Sequence, residues 1–156
     1  MDVEGVFRLA GDQGDVQELV ESLSEGDYSL LEQACDPLVA ADVLKIWVRG
    51  VRPPLIPSVL YEQCLSTAVS GDLDEVSTIL GKLTPSSYAC VGYLANFLNQ
   101  MATAADKTRM TASNLALVIA PNLLREPSGD AVAMLQHADQ EASFVGLVMT
   151  QFGTGL

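Results

Sequence analysis

Basic residues are scarce here: eight Lys and Arg stand against 20 acids in 156 residues, a formal net charge of -12. Such a chain suits neither nucleic acid nor an anionic membrane as its main partner, since both reward clustered cations. Histidine is rarer still, with His137 alone. With no paired Cys motif beside it, a zinc site of the usual kind is not expected. Cys35, Cys64 and Cys90 are odd in number, widely spaced and set among apolar neighbours. They read as free, buried thiols of a reducing compartment, not as a disulfide frame. No segment approaches the roughly 20 continuous apolar residues of a membrane span. The opening MDVEGVFRLAG lacks the basic leader, apolar stretch and cleavage site of a signal peptide. These absences predict a cytoplasmic chain without a transmembrane segment.

Enzyme motifs are missing as well. There is no G-x-x-x-x-G-K-S/T loop to cradle a nucleotide, no G-x-S-x-G and no H-E-x-x-H. GDQG at 11–14 has glycine spacing but no preceding strand, and a turn explains it. The carboxylates are plentiful and surface-like, and none is marked as half of a general acid and base pair. Any catalysis therefore requires a reactive centre shared with a partner.

What remains is abundant helical periodicity. Hydrophobic residues make up 49%, and a chain of this size forms one domain that buries roughly 70% of its unfolded surface. After Asp12 or Gly14, Val16, Leu19, Val20 and Leu23 give one helix its apolar face, and Gly26 ends it. YSLLEQACDP stays ambiguous between short helix and loop. From Leu38 to Val51 the apolar residues predict a central helix with Trp47 buried, stopped by RPPLIP. Ser58 is a candidate N-cap for the next helix, which Gly71 closes. Further helices are expected over Leu73–Leu83, after Pro85 through the largely buried stretch 88–101, and from about Asp139 to Phe152. Thr111, followed at three by Asn114, caps a short, strongly apolar helix or strand that Pro121 ends. The result is an all-α, compact, single domain spanning 1–156, with about eight helices packed at steep angles.

Charge is unevenly placed. Residues 1–36 hold ten acids and one base, Arg8, whereas residues 45–52 hold Lys45, Arg49 and Arg52 and no acid. The acidic third reads as a solvated face. Lys45 and Arg49 lie i,i+4 on one helical face, where like charges repel by a few tenths of a kcal/mol unless an acid stands near.

Three strings carry a resemblance. EGVFRLAG at 4–11 is similar to the arginine-finger loop of the RhoGAP family, E-G-I/V-F/Y-R-x-x-G. LKIWVRGVRPPLIP at 44–57 resembles that family's L-K-x-F/W-x-R-E-L-P-x-P-L-I/L-P. RMTASNLALVIAPNLL at 109–124 resembles K-M-T/S-x-x-N-L-A-x-V-F/M-A/G-P-N/S-L. The three stand in the family's order. WVRG, YEQC and IAPN are closest in wording to the GAP domains that follow a myosin-tail homology domain.

The resemblance implies the RhoGAP fold and an activity: acceleration of GTP hydrolysis by a GTP-bound Rho-family small GTPase. The chain would regulate an enzyme without being the hydrolase, and needs no cofactor of its own, GTP and Mg²⁺ belonging to the partner. A GAP-like binding or scaffold module is the alternative. By position, Arg8 matches the catalytic finger. Lys45 and Arg49 match the basic pair beside it, the lysine facing the GTPase and the arginine helping to hold the loop. Asn122 matches the asparagine that meets the GTPase and the finger region. Gly5 and Gly11 match the glycines framing the loop, and Pro54 and Pro57 match the family's prolines after the basic helix. Two departures stand out. The family's usual first helix, before the finger loop, has no counterpart ahead of Glu4, and Gly50, Val51 and Arg52 replace Glu, Leu and Pro.

Overall fold

The computed structural model describes residues 3–33 and 35–153; Asp2, one of the ten acids, lies outside them. Among the described residues the secondary structure is helical, with no strand. Helix α1 (Gln13–Ser24) starts where the Asp12 carboxylate accepts the N–H groups of Gly14 and Asp15 at 2.8 and 3.1 Å. A one-turn α2 (Ser29–Glu32) resolves the ambiguous YSLLEQACDP segment. Asp36 caps α3 (Pro37–Gly50), and Pro37 occupies the first turn, where its missing N–H costs nothing.

A 3-10 turn at Ser58–Leu60 leads into α4 (Tyr61–Ser70), so Ser58 enters that turn and makes no side-chain cap. Asp72 caps α5 (Leu73–Leu80), and Thr84 caps α6 (Pro85–Ala102). A short α7 (Ala105–Thr108) precedes α8 (Ala112–Leu123), whose first turn closes on the Thr111 hydroxyl, 3.2 Å from the Asn114 nitrogen. The chain ends in α9 (Ala131–Gly153), which packs against α8, α4, α6 and α5.

Two apolar clusters result. The larger joins Val6, Phe7, Val48, Ile56, Tyr61, Leu115, Ile119 and Phe144 with the inner faces of α5 and α6. The smaller sits between α1 and α3 and is built from Val16, Leu19, Val39 and Val43. Helix α3 serves both, with Ala41 and Val48 turned into the main core. That arrangement places its polar residues Asp42 and Lys45 beside the segment that precedes α1.

The structure corrects several expectations. Trp47 is 51% exposed, not buried. Two stripes of α3 find partners in α1 and the main core, while the third, with Leu44 and Trp47, lines two adjoining apolar clefts of about 490 and 510 Å³. Within 88–101, Tyr88 and Tyr93 are also exposed, on the outer face of α6. Pro121 does not end α8. Leu123 and Leu124 are buried, and that burial carries the helix past the proline to Leu123. Helix α9 begins at Ala131, earlier than expected, where the Asp130 carboxylate accepts the Val132 N–H at 3.0 Å. Its first two turns leave Val132, Met134 and Leu135 exposed, so an apolar stripe does not mark them. Helix α5 stops at Leu80, before Gly81, although Leu83 beyond it is buried.

Candidate functional site

Residues 4–9 form a tight turn whose side chains divide by direction. Val6 and Phe7 are buried in the main core, and Phe7 meets Phe97 edge-on with ring centroids 6.1 Å apart. Arg8 and Leu9 follow at once and are exposed. The turn closes through Arg8 N–H and Leu9 N–H donating to the Gly5 carbonyl at 2.9 and 2.8 Å. Gly5 N–H in turn donates to Thr108 at 2.7 Å.

Such a turn demands unusual backbone. Gly5 has φ +74, which suits glycine, but Phe7 has φ +72. A left-handed conformation costs a residue with a Cβ about 1–2 kcal/mol. Burial of the Phe7 ring holds it there and aims Arg8 outward. At the far end, a Cβ on Gly11 would lie 2.7 Å from the Val39 nitrogen and 2.8 Å from its Cα. Glycine at 11 therefore lets the loop lie directly against the α3 backbone.

Two side chains of α3 fasten the loop. The Asp42 carboxylate accepts the Gly11 N–H at 2.9 Å, and the Lys45 ammonium donates to the Phe7 carbonyl at 3.0 Å. Lys45 also pairs with the other Asp42 oxygen at 2.7 Å. Asp42 is only 9% exposed, and these partners offset the cost of burying its charge.

Arg8, Lys45, Arg49 and Asn122 all line one cleft of about 590 Å³, together with Phe7, Asp42 and Pro121. The holding task expected of Arg49 falls to Lys45. Among the described residues the Arg49 guanidinium makes no hydrogen bond or ion pair, and it is exposed. Asn122 is 7% exposed, and its amide nitrogen donates to the Val118 carbonyl at 2.9 Å, one turn back on α8. Pro54 and Pro57 are half-buried, flank the buried Leu55 and Ile56, and do not line the cleft. Asp42 and Phe7 escaped the reading of the sequence. The signal for Asp42 was a lone acid three residues before Lys45 in an apolar helix.

Chemically the cleft offers the projecting Arg8 guanidinium, an Arg49 unpaired among the described residues, and an amide, with Lys45 balanced by Asp42. Its uncommitted charge is therefore positive and suits an anion brought by another molecule. No group of three His, Cys, Asp or Glu able to hold a metal occurs among the described residues.

The sequence model of the RhoGAP domain matches residues 1–128. The chain belongs to the RhoGAP family. Among relatives, human Rho GTPase-activating protein 4 is 34% identical over 144 residues, covering 88% of this chain and 15% of that protein. Mouse Rho GTPase-activating protein 22 is 32% identical over 139 residues, covering 85% of this chain and 20% of that protein. The chain thus spans a fifth or less of these relatives' lengths. The fold agrees with the crystal structure of human Rho GTPase activating protein 15 at a TM-score of 0.82 and 24% identity, covering 97% of this chain and 74% of that one. The BH domain of GRAF, the GTPase regulator associated with focal adhesion kinase, also superposes with a TM-score of 0.82, at 20% identity and over 98% of this chain and 84% of that one. This all-α domain is therefore of RhoGAP type. Among the described residues no helix is long and apolar enough to cross a membrane.

Proposed function

We propose that residues 1–156 act as one cytoplasmic RhoGAP domain that accelerates GTP hydrolysis by a Rho-family GTPase, lending it Arg8. The observation that carries this reading is the clamp on the Arg8 turn: Lys45 on the Phe7 carbonyl at 3.0 Å and Asp42 on the Gly11 N–H at 2.9 Å. A surface arginine with no catalytic duty needs no such fixing.

The chemistry follows from charge. As the bond to the leaving phosphate breaks, negative charge develops on phosphoryl oxygens held by the partner with its own Mg²⁺. A guanidinium placed there stabilises the transition state, and a finger supplied in trans is worth about 10³ to 10⁵ in rate. Arginine suits the task because its planar fork meets phosphate oxygens in pairs and stays protonated. The buried Phe7 and the α3 clamp restrict the base of the finger, so little entropy is lost when the partner docks. Arg49 and Asn122 then serve as contacts on the cleft wall. The narrower subtype, beside GAP domains that follow a myosin-tail homology domain, rests on WVRG, YEQC and IAPN alone.

A single-turnover hydrolysis assay against a panel of GTP-loaded Rho-type GTPases tests the reading. Acceleration of at least one member is expected. Tight binding to the GTP-bound form with no acceleration would instead establish a scaffold module.

A further inference from the structure

The chain has eight basic residues, and three of them, Arg49, Arg52 and Arg125, converge at the C-terminal end of α3. Arg52 donates through Nη1 to the carbonyls of Arg49, Gly50 and Val51 at 2.9, 3.2 and 3.1 Å. Arg125 donates through Nη2 to Val51 at 3.1 Å and to Val48 at 3.4 Å. Two guanidiniums therefore share the Val51 oxygen.

The last carbonyls of a helix attract cations, and that explains one arginine at this place, or two. It does not explain a third, nor the absence of a counter-ion. Among the described residues no carboxylate pairs with any of the three. Glu126, adjacent to Arg125, is turned away: its oxygens accept from the Ser128 N–H and hydroxyl and from the Asp130 N–H. Arg125 Nε is buried without a partner. Burial, then the neighbouring Arg52 and Arg49, pull the Arg125 pKa down. Gly50 lies in the middle of the group, and a Cβ built there would meet nothing within 4 Å. The chain has room for an acid at this point and supplies none, although its net charge is -12.

The patch is continuous with the Arg8 cleft, since Arg49 lines it. We infer that Arg49, Arg52 and Arg125 form a docking edge for an acidic segment of the GTPase surface, and that this edge helps decide which GTPase is accepted. The inference rests on the GTPase-activating reading above. Charges at such an edge act mainly on encounter rate and partner choice, and they weaken with salt. Arg49 and the free edge of Arg52 can each meet a carboxylate with parallel N–H bonds, while Arg125, tied to the Val48 and Val51 carbonyls, adds its charge from beneath.

The test uses the 156-residue chain, Arg52→Gln and Arg52→Glu against the same GTPase panel, with affinity and single-turnover rate measured at several salt concentrations. Glutamine can still donate to the α3 carbonyls but carries no charge, so it separates docking from capping. For the GTPase that wild type prefers, Arg52→Gln is expected to weaken binding about threefold and Arg52→Glu about tenfold at low salt. The salt dependence should become shallower in both variants, with the rate at saturation unchanged. The thermal midpoint of Arg52→Gln should match wild type, whereas Arg52→Glu also loses the bonds to the α3 carbonyls. Wild-type acceleration with unchanged affinity and salt dependence in both variants would overturn the docking edge and leave the finger intact. Failure of wild type to bind or accelerate any GTPase would overturn both. Binding to phosphatidylserine vesicles that Arg52→Glu abolishes, with GTPase affinity unaltered, would reassign the patch to a membrane surface.

Discussion

Asp42 and Lys45, one turn apart on α3, hold opposite ends of the same loop: Asp42 takes the Gly11 N–H, Lys45 reaches the Phe7 carbonyl, and the two pair with each other at 2.7 Å. Arg8 projects between these fixed points. Asp42→Ala leaves the Gly11 N–H without its acceptor and removes the ion pair of Lys45, which keeps only the Phe7 carbonyl, so a loss of about 1–3 kcal/mol in urea unfolding is expected. Activation of the GTPase should fall further than that loss accounts for, since a finger displaced by about 1 Å can cost about 100-fold.

Lys45 and Arg49 should separate in their effects. Lys45→Met keeps the aliphatic stem but leaves the Phe7 carbonyl unheld, so faster amide hydrogen exchange across residues 5–11 and a lower hydrolysis rate at saturation are expected. Arg49 makes no bond to the loop, so Arg49→Ala should preserve exchange rates there and weaken only binding. Loop loosening in Arg49→Ala with none in Lys45→Met would reverse the assignment.

Much of this was legible in the sequence. Asp12 or Gly14 and the apolar spacing located α1, Thr111 marked the start of α8 while leaving helix or strand open, and the three strings that frame the cleft stand in EGVFRLAG, LKIW and APNLL. What misled was periodicity without knowledge of neighbours. Trp47 continues an apolar pattern, but whether a stripe is covered depends on what packs against it, and α3 leaves that stripe open. Pro121 shows the converse, with burial of Leu123 and Leu124 outweighing a local stop signal. The division of labour between Lys45 and Arg49 depends on side-chain reach to a loop about 38 positions away in the chain, a relation that spacing along one helix does not encode.

Two glycines give a matched test of packing. Gly11→Ala drives a Cβ to 2.7 Å from the Val39 backbone, and overpacking of this kind costs about 1–3 kcal/mol. Gly50→Ala, at the end of α3 and facing open space, should be neutral or stabilise by up to about 1 kcal/mol. Chemical unfolding of the two variants reads the difference directly.

Burial pushes the Cys64 thiol up to about 12. In the unfolded chain the thiol ionises near 8.5, as free cysteine does, at about pH 8.5. The folded chain keeps its proton where the unfolded chain loses it, so this contribution to stability is full below about pH 8.5 and declines as pH rises toward 12. Tyr61, also raised by burial and by its bond to Glu141 at 2.6 Å, acts in the same direction. Urea midpoints at pH 8 and pH 10, set against those of Cys64→Val, should show a shallower alkaline decline in the variant. Equal declines would remove Cys64 from that account.

The finger itself is tested most directly by single-turnover GTP hydrolysis on the preferred GTPase at saturating wild type and Arg8→Ala. Arg8 is exposed, so the substitution should change stability by no more than about 0.5 kcal/mol. The rate should fall about 10³-fold, equivalent to about 4 kcal/mol in the barrier, with the complex still forming. Acceleration undiminished in Arg8→Ala would contradict the account.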